Sequence, residues 1–315
     1  MAAMTAQPVL DFHVRLAPRP GAGERLLSTM DDCGLARAVV CAGGTIGLDR
    51  LSRQLIEGGH VETDADNDAV LGTCAGADER LVPFFFANPH RSPEVYRARA
   101  AEFRGLEVSP AVHGVGLTDP RVGALVGVAA EFGHPVYVVC LTRRGAGVAD
   151  LVGLARRFRQ VNFVLGHSGI GNIDFHALTL IHDESNILLE TSGGYTCVAE
   201  AALSRLGAGR VVFGSEYPLQ HPAVELAKFQ SLRIPPEQWR QVAWDNAHRL
   251  LGHVSEVPPA PRRPARTLAA LSGSPTYVSY EDDPPPCDRT HQTPPGPPFG
   301  RTAGLPTHAP GEEKR

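Results

Sequence analysis

VVFGSEYP, Val211 to Pro218, is a short apolar run, β-branched and aromatic, halted by Gly214 and Pro218 and carrying an acid, Glu216, at its end. Such a run reads as a buried strand that delivers a carboxylate to its C-terminal end. Two other stretches are built the same way. PVLDFHVRL, Pro8 to Leu16, carries Asp11, His13 and Arg15, and NFVLGHSG, Asn162 to Gly169, ends in His167. If the three strands lie side by side and parallel, their ends converge on one pocket.

Outward from these anchors the chain alternates. Strand candidates fall at Pro8 to Val14, Arg37 to Gly43, Leu81 to Pro89, Gly105 to Pro110, Pro135 to Cys140, Asn162 to Gly169, Asn186 to Gly194 and Val211 to Pro218. Helical spacing of apolar residues fills the gaps, as at Gly23 to Cys33, Asp119 to Phe132 and Val148 to Phe158, and two further helices, Ala223 to Leu232 and Glu237 to Leu251, close the series. Nearly all the strands are continuously apolar, which requires burial on both faces and hence a parallel sheet wrapped by helices. Eight such units in about 250 residues is the arithmetic of an α/β fold of the (β/α)8 barrel type. A doubly wound open sheet is the competing fold, but AGGTIG, Ala42 to Gly47, puts alanine where a dinucleotide fingerprint needs its first glycine.

Composition sets the limits of this domain. Fourteen of the 27 prolines follow Val257, so residues 1–255 read as the barrel and 256–315 as a disordered proline-rich tail. The formal net charge of -4, with both signs interspersed, offers nucleic acid no basic stripe. The most apolar window, Leu125 to Leu141, is broken by Glu131, His134 and Pro135, and MAAMTAQPVL lacks the regions of a signal peptide. A cytoplasmic protein with a small-molecule substrate is expected, with neither membrane nor nucleic acid as partner; oligomeric state is not legible. The six cysteines form no CxxC pair and read as reduced core residues. His113, His134, His176 and His182 fall in helices or loops and read as solvated.

The order of DFHVR, GLEVSP with GLTDPRV, PVYVV, FVLGHSG, LLETSGG, VVFGSEYP and a terminal NAHRLLG resembles the amidohydrolase superfamily, in its amidohydrolase-related branch, from Asp11 to about Gly252. That resemblance implies one metal ion held by two histidines of HxH on the first strand, histidines ending the fifth and sixth, and an aspartate ending the eighth. It implies hydrolysis of amide, lactone or similar bonds, or decarboxylation. His13 and His167 match their positions, but the second HxH histidine falls on Arg15, the fifth-strand histidine on Val139, and the aspartate on Glu216.

Neither arginine nor valine can hold a metal. His13, His167 and Glu216 remain as a donor set for a single divalent ion, zinc by its two-histidine, one-carboxylate character, yet Coulomb repulsion sets the Arg15 guanidinium against a dication. The degenerate metal site therefore points to charge substitution. Arg15 replaces the ion, pairs with Glu216 and binds an anionic substrate or polarises its carbonyl; Glu216 or His167 is the general base, and His13 orients or donates. Asn88 and Ser192, at strand ends, read either as substrate contacts or as helix caps. The competing functions are a catalytically inactive barrel with a binding or accessory role, in which Arg15 and Glu216 plug a dead site, and a metal-dependent decarboxylase. GHSG, 166 to 169, lacks the second glycine of a nucleophile elbow.

Overall fold

The computed structural model describes residues 7–252. Its strands are β1 (Leu10–Leu16), β2 (Arg37–Ala42), β3 in two segments (Leu81–Pro83 and Phe85–Phe86), β4 (Leu106–Val108), β5 (Val136–Val138), β6 (Phe163–Leu165), β7 (Ile187–Glu190) and β8 (Val211–Val212). Every neighbouring pair is parallel. β3 breaks after Pro83, which has no N–H for the ladder, yet Phe84 N donates to Val40 O at 2.9 Å and Phe85 N to Gly105 O at 2.9 Å, so the sheet continues across the break. The ring closes between its ends. Phe12 N donates to Phe213 O, Glu216 N to His13 O and Arg15 N to Tyr217 O, at 2.9, 3.0 and 2.7 Å. The result is an eight-stranded barrel.

Helices wrap it because their sequences give each one an apolar face and defined ends. Pro120–Phe132 is the clearest: Asp119 caps it by accepting from Arg121 N at 2.9 Å, Pro120 supplies a preset first turn, and Gly133, at φ 67°, ends it in the left-handed conformation. Val122, Leu125, Val126, Val128 and Ala129 are buried on its inner face, where each larger side chain contributes roughly 2 kcal/mol of burial. No helix among the described residues is long and apolar enough to cross a membrane.

Several expectations need correction. His113 and His134 are buried rather than solvated, at 1% and 7% exposure. His113 Nδ1 reaches Val61 O at 3.0 Å, and His134 Nδ1 pairs with the Tyr96 hydroxyl at 2.6 Å, so each buried ring has at least one polar partner. His182 and His176 are exposed, as expected. Cys33, Cys41, Cys74 and Cys140 are buried free thiols, but Cys197 is exposed near the start of its helix; Cys287 and the proline-rich tail lie outside the described residues.

Candidate active site

Past an irregularity in the ladder between Asp11 and Val14, strand alternation places His13 and Arg15 on one face of β1, and the closure with β8 sets Glu216 beside His13. Arg15 Nε donates to Glu216 Oε1 at 2.9 Å and Arg15 Nη2 to Glu107 Oε1 at 2.7 Å. His13 Nε2 stands 3.1 Å from Glu107 Oε2, and His13 Nδ1 lies 2.7 Å from Glu216 Oε2, an ion-pair contact reached off the hydrogen-bonding axis. Two cations thus face two carboxylates. The pairing of Arg15 with Glu216 was expected; Glu107 was not, although a lone acid inside the apolar run GLEV is the signal that could have found it.

The charges tune one another. Burial alone would pull the His13 imidazole down, but the Glu216 and Glu107 carboxylates outweigh both burial and the Arg15 cation and hold it up at about 9. Burial works to raise Glu107, yet Arg15 and His13 bring it down to about 2. Glu216 is likewise held well below the usual carboxylate range against its burial, by His167, His13 and Arg15. A carboxylate held that firmly ionised is a weak proton acceptor.

His167 is different. It is the most open member of the group, at 25% side-chain exposure. Both His167 and Glu216 adopt left-handed backbone conformations, φ 55° and 60°, which cost a non-glycine residue energy and are kept where position matters. His167 Nδ1 lies 2.9 Å from Ser192 Oγ, and Ser192 Oγ donates to Glu190 Oε2 at 2.9 Å. Glu190, buried at the end of β7, accepts four donors in all: the Ser192 hydroxyl and N–H, the His167 N–H and the Tyr137 hydroxyl. Three of these donors reach Oε2 and one reaches Oε1. The Ser192 proton therefore points to Glu190, and His167 Nδ1, which also lies 3.1 Å from Glu216 Oε2, is the donor to Ser192, so that in the neutral ring the lone pair is on Nε2. Tyr137 stacks on His13 with ring centroids 4.0 Å apart, joining the two halves of the site. Glycine is required beneath: a Cβ at Gly214 would collide with the Glu190 carboxylate, and one at Gly166 with the Tyr137 hydroxyl.

Ser192 thus joins His13, Arg15, His167 and Glu216. Asn88 does not. Its amide donates to Glu62 O at 2.9 Å and Asp64 Oδ1 at 2.6 Å, and its Oδ1 accepts from His90 N at 3.0 Å, so it clips two loops together instead of facing the group. Ser168, of GHSG, is fully buried and donates to Thr191 O.

The family model described as Amidohydrolase matches residues 51–253. The chain belongs to the amidohydrolase family. Among curated protein sequences none matches. Solved structures with the same fold include 5-carboxyvanillate decarboxylase from Novosphingobium aromaticivorans with bound manganese, at 13% identity and TM-score 0.59, covering 78% of this chain and 97% of that one. The 2,6-dihydroxybenzoate decarboxylase from Rhizobium follows at 16% identity and TM-score 0.56, covering 78% and 98%. A probable 2-pyrone-4,6-dicarboxylic acid hydrolase from Acinetobacter baumannii, with citric acid bound, stands at 14% and 0.58, covering 78% and 100%. At these identities the likeness is one of fold.

A divalent ion is implied by this family, and His13, His167 and Glu216 each offer a ligand atom within 4.8 Å of the others. The donor chemistry does not suit it. His13 is held as an imidazolium between two carboxylates, and Glu216 already neutralises the permanent cation of Arg15. An ion would have to expel a proton from His13 and sit beside the guanidinium.

Proposed function

We propose that this amidohydrolase-family chain is a hydrolase of a small carbonyl compound, an amide, lactone or similar, that works without a metal ion and uses His167 Nε2 as its general base. The observation that carries this reading is the chain from His167 Nδ1 through Ser192 to Glu190, which leaves Nε2 as the lone-pair nitrogen on the open side of the site. Water gives its proton to Nε2 as its oxygen bonds to the carbonyl carbon. Arg15, whose Nη1 carries none of the bonds to Glu107 or Glu216, receives the developing oxyanion. The proton then passes from Nε2 to the leaving nitrogen or oxygen as its bond to carbon breaks. Glu216 and His13 hold Arg15 in place, and Glu216, 3.1 Å from His167, favours the imidazolium formed on the way. Arg15 also suits a substrate carboxylate, and two of the solved relatives hold carboxylic acids.

A second reading is decarboxylation, because two of those relatives are named decarboxylases. The same His167 would then deliver a proton to the carbon that loses carbon dioxide. A third is a barrel without turnover, supported by the mutual neutralisation of Arg15 and Glu216.

The test is a panel of lactones, amides and aryl carboxylic acids, followed by chromatography of the product acid and by carbon dioxide evolution, with a chelator present throughout. Turnover is expected in chelator, with acid but no carbon dioxide released. His167→Ala should lower it by roughly 10²–10⁴-fold at an unchanged melting temperature. Activity that returns only with an added divalent ion, or that ignores His167→Ala, overturns the proposal. Carbon dioxide release would favour the second reading.

A further inference from the structure

Away from the barrel interior, on segments that follow the C-terminal ends of β2 and β3, stand His60, Glu62 and His90. We propose that these three form a cation site of their own, for a borderline divalent ion such as Zn²⁺, on the rim of the barrel mouth. Their ligand atoms lie within 4.8 Å of one another. Glu62 Oε1 is 3.6 Å from His60 Nε2 and 3.9 Å from His90 Nδ1, too far for hydrogen bonds. Ligands about 2.1 Å from one tetrahedral ion stand about 3.4 Å apart, so the gap among these atoms is close to the size of an ion.

The histidine geometry suits the role. His90 Nε2 lies 2.8 Å from His113 O, an acceptor, so Nε2 carries the proton and Nδ1 the lone pair. A carbonyl bonded to the far nitrogen is also the support that metal-bound histidines use. The His60 and His90 rings lie nearly parallel, 18° apart with centroids at 5.3 Å. The loops beneath are fixed. Asn88 accepts from His90 N while donating to Glu62 O, and Arg91 Nη2 donates to Glu62 O at 3.0 Å. One side chain thereby sets the spacing between the segments that carry the ligands. Two imidazoles and one carboxylate select a borderline ion over Mg²⁺ or Ca²⁺, which take oxygen. His60 and Glu62 are about half exposed, which leaves room for entry and for bound water.

One group opposes the ion. Arg121 Nη1 stands 3.5 Å from His90 Nδ1 while the rest of its guanidinium grips Asp119, and it must swing outward, which its 49% exposure allows. Removing it should therefore tighten binding.

The experiment is a Zn²⁺ titration of the full, tag-free chain by calorimetry and equilibrium dialysis. One ion per chain is expected. His60→Ala, His90→Ala and the near-isosteric Glu62→Gln should each weaken binding at least tenfold, Arg121→Ala should strengthen it, and His167→Ala should leave it unchanged, all with melting curves to show that the variants fold. Absence of saturable binding, or binding that survives His60→Ala and His90→Ala together, overturns the proposal. Binding lost in His167→Ala but kept in the rim variants would also overturn it, and the metal-free reading of the barrel site with it.

Discussion

Two clusters of histidine and carboxylate occupy the same end of this barrel, and their contact distances part them. Inside, His13, Arg15, Glu107 and Glu216 meet at 2.7 to 3.1 Å, buried or nearly so, with each cation against two acids. On the rim, His60, Glu62 and His90 stop at 3.6 and 3.9 Å, with His60 and Glu62 exposed and His90 half-buried. The interior group has neutralised itself with its own side chains, so an added ion has a proton and a guanidinium to displace. The rim group has left a gap. Residue type alone does not distinguish a charge-filled site from an open one; the supply of a permanent cation by Arg15 does.

The comparison breaks most readily at Glu107. It is fully buried and bonds both Arg15 and His13, so Glu107→Ala leaves the two cations short of an acceptor in the barrel interior. Removing one partner of a buried ion pair costs about 3–5 kcal/mol, which denaturant unfolding would report as a large drop in midpoint. A drop below about 1 kcal/mol would mean that the interior charges are solvated, and that they resemble the rim after all.

Proton linkage gives a smaller effect with a defined sign. His13 sits at about 9 in the fold against 6.5 in the unfolded chain, so its stabilisation is complete below pH 6.5 and is lost as pH rises toward 9, on the order of 3 kcal/mol. Glu107, at about 2 against 4.5, acts in the other direction: its share is present above pH 4.5 and is lost as pH falls toward 2. Asp11 interferes between these limits. Its burial outweighs the hydrogen bonds from Ser215 and raises it to about 7 from 3.8, so its own contribution is present below 3.8 and fades by 7. Melting curves across pH should therefore decline from 6.5 to 9 in both wild type and Asp11→Asn, whereas between 4 and 6.5, where Glu225 and His134 also titrate, wild type should lose more stability than Asp11→Asn. A flat alkaline limb would remove the imidazolium from His13.

The parts of this chain that could be read in advance are those governed by neighbours in sequence. Continuous apolar strands, helical spacing and the Asp–Pro and Gly stops placed Asp119 to Phe132 within one residue of the observed helix, and the strand ends carrying His13, Arg15, His167 and Glu216 were chosen correctly as a group that meets. Ser192 meets them too. What escaped is governed by lateral register. Glu107 stands 94 residues from His13 and 92 from Arg15, and Glu190 stands 53 from Tyr137; along the chain each is only an acid interrupting an apolar run. A buried acid needs a partner, and the partner came from another strand. The same blindness made His113 and His134 look solvated, and left Asn88 open as a substrate contact or a helix cap, since packing from distant segments takes up residues that no local pattern marks.

The smallest effect is the sharpest contrast with His13. His60 has the same chemistry and stands at the same end of the barrel, yet its nearest carboxylate is 3.6 Å away and its side chain is 49% exposed. An exposed pair at that distance contributes little, because water screens the attraction and ordering two mobile side chains costs entropy. His60→Ala should therefore shift the unfolding free energy by less than about 0.5 kcal/mol in metal-free buffer. Added Zn²⁺ should then raise the melting temperature of wild type and not of the variant, since an ion that binds only the folded chain stabilises it in proportion to its affinity. If His60→Ala proved as costly without metal as the loss of Glu107, the rim would be a second closed network, and the distance criterion that separates the two clusters would fail.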